Sequence, residues 1–324
     1  MKARVIKKNI YLKADFISYL QSKNLAPSSI EHYLRELGLF LSWVGKEEVQ
    51  ITKPDVFKYL EYLKNKRSLQ NISRARVLST LNHYFTFLIT AQDIEANPCA
   101  FIKIRGTKKQ NLYRIYTLEE LQTLYDSYYH SFVREYNDNH IPENQRRQAA
   151  LSKQRNAAIL SLLMNQGATT KQIDTLLLDD LDLMSATIML RGSRTGKDRT
   201  LALAATQIGV LMHYLQNIRP QLADFHSQES QWLFLPLPIS GRSSTDSESI
   251  MSVFKPLVKQ LKTIDQHFVN FNQIRASIIT HWITTHGLRK AQQMAGHRQI
   301  STTENYLVND LQNLTNEINK LHPF

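Results

Sequence analysis

The chain of 324 residues has a single cysteine, Cys99. One thiol can form neither an intrachain disulfide nor a cysteine-based zinc site, and it suits a reducing compartment. No apolar run is long enough to cross a bilayer, and the basic N-terminal stretch MKARVIKKNIYLKADF lacks the continuous apolar segment of a secretory signal. Disulfide scaffolds and membrane proteins are thereby set aside, and a soluble cytoplasmic protein is expected. Glycine and proline are also scarce, at 10 and 9 residues, and they fall at a few breaks that leave long stretches free to form helices. There is no internal repeat and no long low-complexity tract.

Positive charge is in excess but unevenly placed. The net charge is +12; residues 1–114 carry 20 Lys and Arg against 9 Asp and Glu, whereas the remainder carries 20 against 19. A basic N-terminal third is the electrostatic footprint of a module that grips a phosphate backbone. A lysine-rich solvated helical surface would give the same count, so position along the chain has to decide.

From Tyr11 to Asn97 the apolar spacing is helical. Ser28 and Glu31 form a candidate capping box ahead of HYLRELGLFLSWV, and Lys53-Pro54 opens VFKYLEYLKN. ISRARVLSTLNHYFTFLIT carries Arg74 and Arg76 near its start and sets Leu78, Leu81, Phe85 and Leu88 on one stripe. Residues 102–114 hold five basic residues, among them Lys103, Arg105, Lys108 and Lys109, and no acid; a linker is the plain reading, and in a two-domain clamp such a connector would also cross a DNA backbone. Thr117 and Glu120 form a second capping box, residues 130–153 read as an exposed polar insertion, and RNAAILSLLMNQ predicts a buried helix. The stretch SATIMLRGSRTGKDRTLALA alternates around Gly192 and Gly196, predicting strands joined by tight turns. Helices resume at Thr206, and an irregular, serine-rich connection is expected from Leu222 to Ser249. The class is mainly α with one small β-sheet.

The run from Phe271 to Tyr306, FNQIRASIITHWITTHGLRKAQQMAGHRQISTTENY, presents an arginine, a histidine and a tyrosine at the ends of successive short helices. A phenol can attack phosphorus and conserve the bond as phosphotyrosine, while a guanidinium and an imidazole steady the charge on the equatorial oxygens. Taken singly these residues would be ordinary; one of 14 tyrosines is more often a packing residue with a polar tip. Ser301-Thr302-Thr303-Glu304 is a further candidate capping box, which would aim Tyr306 from the first turns of a helix.

In order and spacing the segment resembles the C-terminal signature of the tyrosine recombinases, or phage integrases. There an HxxR pair, a Gly-His and a tyrosine nine residues further on follow one another, here Asn272-Gln273-Ile274-Arg275, Gly296-His297 and Tyr306. The resemblance implies a SAM-like helical core-binding domain over 1–101, a basic linker over 102–114, and a tyrosine recombinase catalytic domain with a tail helix over 115–324. It further implies strand cutting and rejoining through a 3′-phosphotyrosine with no metal or other cofactor, double-stranded DNA as partner, and a homodimer on half-sites that becomes a tetramer in synapsis. A cytoplasmic, nucleoid-associated protein of a mobile element would fit. Tyr306 would be the nucleophile, Arg275 and His297 the phosphate ligands, and Arg74, Arg76 and the four linker cations named above the DNA contacts. A stripe in the tail, Val308, Leu311, Leu314, Ile318 and Leu321, would dock on its own domain or on a neighbour.

The sequence departs from the family pattern at two places. Thr169 in Gly167-Ala168-Thr169 stands where the family has its first catalytic arginine, and Asn272 replaces the histidine of HxxR, a site residue expected to hydrogen-bond a phosphate oxygen but unable to titrate. Thr169 also opens the capping-box pattern Thr169-Thr170-Lys171-Gln172. Aligning Lys197-Asp198-Arg199 with the family's Lys-Glu-Arg puts Arg194 at the position of the family's catalytic lysine, yet a guanidinium is a poor proton donor. Lys197 is therefore expected as general acid and Arg194 as a phosphate clamp, though a hairpin tip with Arg191, Arg194, Lys197 and Arg199 would also suit a solvated basic turn. Two readings follow, an active recombinase of a divergent branch and a catalytically impaired DNA-binding relative.

Overall fold

The computed structural model describes residues 14–106, 113–135, 142–193, 196–226, 228–237 and 249–307. Lys108, Lys109, Arg194 and the apolar stripe from Val308 to Leu321 lie outside them. The chain divides into two compact units, Met1–Asn111 and Leu112–Phe324.

The first unit is helical: α1 (14–22), α2 (Pro27–Val44), α3 (Lys53–Asn65) and α4 (Asn71–Thr90). Leu78, Leu81, Phe85 and Leu88 of α4 are all buried, as their spacing predicts, and they meet Phe16, Leu20, Phe40 and Tyr59 in one core. Helix α2 starts at Pro27 with Ala26 as an uncapped N-terminal residue, so Ser28 and Glu31 do not form the expected capping box. A proline in the first turn has its φ preset and no N–H to satisfy, which moves the start ahead of Ser28. The side-chain brace stands instead at α3, where Asp55 accepts hydrogen bonds from the N–H and Oγ1 of Thr52, at 2.9 and 2.7 Å, and from Lys46 Nζ at 2.7 Å. The Lys46 bond, with those of Thr52, holds the Asp55 carboxyl down to about 2.

In the second unit α5 (Leu118–Tyr128) begins at the Thr117–Glu120 capping box, in which Glu120 N–H donates to Thr117 Oγ1 at 3.1 Å and Thr117 N–H to Glu120 Oε2 at 2.9 Å. The described residues of the expected insertion at 130–153 are largely helix. A wider π-turn carries α5 on through Arg134, and α6 (Glu143–Gln166) already runs from Glu143. Apolar anchors spaced among the polar residues account for this: Phe132 stacks on Tyr128 with ring centroids 5.3 Å apart, and Leu151 is buried.

The C-terminal half of α6 is apolar almost all round and forms the spine on which α5, α8 (Ala205–His213) and α11 (Phe271–Ala295) pack. After α7 (Thr170–Asp174), strands β1 (Leu181–Asp182), β2 (Thr187–Leu190) and β3 (Arg199–Ala202) form an antiparallel sheet in that order, with Leu190 opposite Arg199. A π-turn at Tyr214–Ile218 and α9 (Arg219–Ala223) follow. The connection from Leu222 is not all irregular surface, since Leu233, Phe234 and Leu235 are buried and Trp232 pairs with Leu177 in an isolated bridge. Helix α10 (Met251–Ile264) leads to α11, which breaks at Gly287 (φ 77°, ψ 165°), and short α12 (Ile300–Glu304) precedes Tyr306. Among the described residues no helix is long and apolar enough to cross a membrane.

The spine gives a direct test of packing. Leu160 is fully buried and Met184 is 97% exposed. Leu160→Ala is expected to cost about 2–5 kcal/mol in chemical denaturation, and Met184→Ala to stay within about 0.5 kcal/mol.

Candidate active site

Arg275 lies one turn into α11 and points at the ends of two helices. Its Nη1 donates to Gly167 O, the residue that closes α6, and its Nη2 donates to Ala295 O at 2.9 Å, the last residue of α11. Both helices end in a left-handed glycine, Gly167 (φ 52°) and Gly296 (φ 70°), a conformation that costs an L side chain about 1–2 kcal/mol. Carbonyls at helix C-termini carry partial negative charge, so they fix the guanidinium and offset part of its burial without using a carboxylate. Burial still lowers the Arg275 pKa, and the neighbouring Tyr306 phenol acts in the opposite direction.

His297 follows Gly296 directly. Arg275 Nη2 lies 3.2 Å from His297 Nε2, and a guanidinium can only donate, so Nε2 is the acceptor and the ring proton sits on Nδ1. That Nδ1–H faces Thr303 Oγ1 at 2.9 Å. Burial, then the charges of Arg275 and Arg199, push the imidazole from its ordinary 6.5 down to about 4, so the ring is neutral at pH 7. The Tyr306 ring lies parallel to it, with centroids 5.8 Å apart and planes 11° from parallel. Ser301 does not cap this segment; α12 starts at Ile300 with Gln299 as N-cap and no side-chain cap bond. Thr303, fully buried, is engaged with His297, and Tyr306 N–H bonds Thr303 O at 3.0 Å. Tyr306 is thus placed by the contacts of Thr303 rather than by a capping box.

The β2–β3 hairpin is pinned to the same segment. Lys197 N–H donates to Gly296 O at 2.8 Å, and Arg298 Nε to Gly196 O at 3.0 Å. A Cβ on Gly296 would stand 2.8 Å from both Lys197 O and Arg199 Nη1, so close approach as well as positive φ requires glycine there. Across the site Thr169 caps α7 as its pattern predicts: its Oγ1 accepts from Gln172 N–H at 3.2 Å, and Gln172 Oε1 accepts from Thr169 N–H at 3.1 Å. The result is a cavity of about 500 Å³ whose lining includes Thr169, Lys197, Arg199, Arg275, Gly296 and His297.

Arg275, His297 and Lys197 are therefore gathered around one cavity, with Tyr306 stacked at its edge. Asn272 is exposed in the first turn of α11 and is not among the residues that line the cavity. Arg194 lies outside the described residues. In the first unit Arg76, Lys103 and Arg105 are exposed, whereas Arg74 is half-buried, with Nη2 donating to Asn71 Oδ1 at 2.7 Å. Sequence reasoning missed Arg199 as a site residue, although it is only 8% exposed and faces the cavity.

The imidazole state is measurable. In nitrogen-resolved NMR, His297 is expected to be the neutral Nδ1–H form at pH 7 and to titrate near 4; a proton on Nε2 would contradict the tautomer, and a midpoint near 6.5 the burial and cationic surroundings. Between those values the unfolded chain binds a proton that the native ring refuses, so this group lowers stability as pH falls from 6.5 to about 4.

Residues 132–313 match the Phage integrase family, and residues 14–92 match the Phage integrase, N-terminal SAM-like domain. The chain is 26% identical over 314 residues to a tyrosine recombinase XerC of Oceanobacillus iheyensis, covering 95% of this chain and 94% of that protein. It is also 26% identical over 303 residues to a tyrosine recombinase XerD of Listeria innocua, covering 90% and 92%. Among solved structures, XerH bound to palindromic difH in a post-cleavage complex superposes with a TM-score of 0.65 at 17% identity, covering 93% of this chain and 82% of that one. A lambda integrase dimer bound to a COC′ core site gives 0.61 at 13% identity, covering 91% and 94%. These likenesses bear on the fold, while the profile match spans more than half of the chain together with the Arg275, His297 and Tyr306 site. The chain belongs to the phage integrase family, that of the tyrosine recombinases.

Proposed function

We propose that this protein is a site-specific DNA recombinase that cuts and rejoins strands through a 3′-phosphotyrosine on Tyr306. The observation that carries this reading is the contiguous array of Tyr306 ring, His297 ring and Arg275 guanidinium beside a cationic cavity. Tyr306 Oη attacks the phosphorus of a backbone diester and forms the new P–O bond. Its proton passes to His297 Nε2, the nitrogen that holds no proton in the free protein, as Arg275 Nη2 gives up its bond to that nitrogen and turns to a phosphate oxygen. The bond to the 5′ oxygen breaks, the oxygen takes the electron pair, and Lys197 Nζ supplies its proton. Reversal with a 5′ hydroxyl from another duplex rejoins the strand.

The array is also timed by charge. In the free protein burial, with the charges of Arg275 and Arg199, holds His297 neutral, ready to accept. Once a phosphate occupies the cavity its negative charge offsets Arg275, so the imidazolium that forms is stabilised and its new Nε2–H becomes a donor to a phosphate oxygen. Asn272, exposed in the first turn of α11, would donate from its amide to a phosphate oxygen of the DNA backbone.

Double-stranded DNA as partner is supported by the positive excess of residues 1–114 and by exposed Arg76, Lys103 and Arg105. The domain plan follows the family: a core-binding domain over 1–101, a linker over 102–114 and a catalytic domain from 115. The lambda integrase and XerH structures are DNA complexes, and one of them is a lambda integrase tetramer bound to a Holliday junction, with a TM-score of 0.58 at 13% identity. A dimer on inverted half-sites that joins into a tetramer is the corresponding assembly for this chain. Movement of a mobile element, from a nucleoid-associated pool, is the cellular task that fits.

A nicked duplex, chosen by selection from a random-sequence library, serves to test this. Wild type is expected to form a covalent protein–DNA adduct, and Tyr306→Phe to keep duplex affinity within about twofold while losing the adduct. Binding without any wild-type adduct would instead identify a noncatalytic DNA-binding relative.

A further inference from the structure

A five-coordinate phosphorus carries more negative charge than the diester it comes from, and one guanidinium is a sparse counterweight. The residue that heads α7 toward the cavity, Thr169, is neutral and is occupied as a helix cap. Lys197 is assigned to the leaving oxygen, and two further cations nearby are already paired. Lys171 Nζ lies 2.8 Å from Asp174 Oδ2, and Arg191 Nη2 lies 2.9 Å from Asp180 Oδ1.

Arg199 differs from both. It enters from β3, is 8% exposed, and lines the cavity. Its one hydrogen bond among the described residues is long, Nη2 to Gln172 Oε1 at 3.3 Å, and its Nε has no partner. No carboxylate is among the described residues that line the cavity. Burial and the charge of Arg275 pull its pKa down to about 9, a sign of two like charges held close in a partly dehydrated site. Arg155 shows what a structural buried arginine looks like in this chain. It is 1% exposed, and its donors are spent on Leu235 O and Ser152 Oγ, each at 2.8 Å, and on Asn156 Oδ1 at 3.1 and 3.3 Å. An unsaturated buried guanidinium facing a cavity is costly unless an anion completes it.

The route of the side chain adds a second argument. Gln172 Oε1 accepts from Thr169 N–H at 3.1 Å, from Thr169 Oγ1 at 3.3 Å and from Arg199 Nη2. The Arg199 head group is therefore one hydrogen-bonded residue away from Thr169. On its other side Nη1 stands over Gly296, next to His297.

We propose that Arg199 is a catalytic residue of this protein, a second guanidinium delivered from the β-sheet that binds the scissile phosphate opposite Arg275 and serves where Thr169 supplies no charge. This assignment rests on the recombinase reading above. Arg275 and Arg199 would then grip the nonbridging oxygens from two sides, and His297 would complete the set once protonated by Tyr306.

The test compares wild type, Arg199→Gln and Arg199→Lys on the selected nicked duplex, with the scissile position either an ordinary phosphate or a neutral methylphosphonate. With phosphate, Arg199→Gln is expected to slow adduct formation by about a hundredfold to a thousandfold at nearly unchanged duplex affinity, and Arg199→Lys by less. With methylphosphonate the loss should shrink markedly, because the charge that Arg199 answers has been removed; a merely structural role would give equal losses on both. Equal losses, or an Arg199→Gln variant as fast as wild type, would overturn the assignment while leaving the recombinase reading intact. Should Arg199→Gln fail to fold, the same comparison with Arg199→Lys decides. A wild type that forms no adduct on either duplex defeats the reading itself and this assignment with it.

Discussion

The Arg275 guanidinium is the interaction on which the site depends. It ties the C-terminus of α6, the C-terminus of α11 and His297 to one planar group. Each tie has a backbone reason. Gly167 and Gly296 allow the helices to stop in the left-handed conformation, so carbonyls at or beside those stops turn toward the arginine. The arginine in turn dictates that His297 Nε2 be an acceptor, which sends the imidazole proton to Thr303 and leaves Nε2 unprotonated in the ring that stacks on Tyr306. Fold, tautomer and nucleophile placement follow from one set of hydrogen bonds.

Charge is the second constraint. Among the described residues the cavity gathers cations without lining carboxylates, which opposes folding through self-repulsion and desolvation. Such a site trades stability for preorganisation, since donors already aimed at a phosphate need no reorganisation when charge develops. The spine of α6 and the apolar core around it carry the compensating burial, and Arg155 shows that the same core can saturate a buried guanidinium where no ligand is meant to bind.

Much of this was legible in the sequence where one physical signal dominates. Apolar spacing gave the α4 stripe and the buried α6 run, and the capping boxes at Thr117 and Thr169 stand where their residue types place them. Local signals failed where another contact prevailed. Pro27 starts α2 ahead of Ser28, and Thr303 is engaged with His297 while α12 begins at Ile300. The helices flanking 136–141 were hidden by polar residues whose aromatic anchors are sparse. Arg199 was hidden by its charge, because a hairpin rich in cations looks solvated. Its alternation held the clue: Arg199 and Leu201 share one face of β3, and Leu203, in step just beyond the strand, is buried, so the arginine points inward too.

The central claim is that one tyrosine of this chain becomes covalently joined to DNA, and direct mapping of the linkage tests it most sharply. Wild-type protein trapped on a nicked duplex would be digested, and the nucleotide-bearing peptide sequenced by mass spectrometry, with the DNA end labelled to reveal its polarity. The account predicts a 3′-phosphate on the peptide containing Tyr306 and on no other. A linkage through a 5′ phosphate, or one carried by a different side chain, would contradict it.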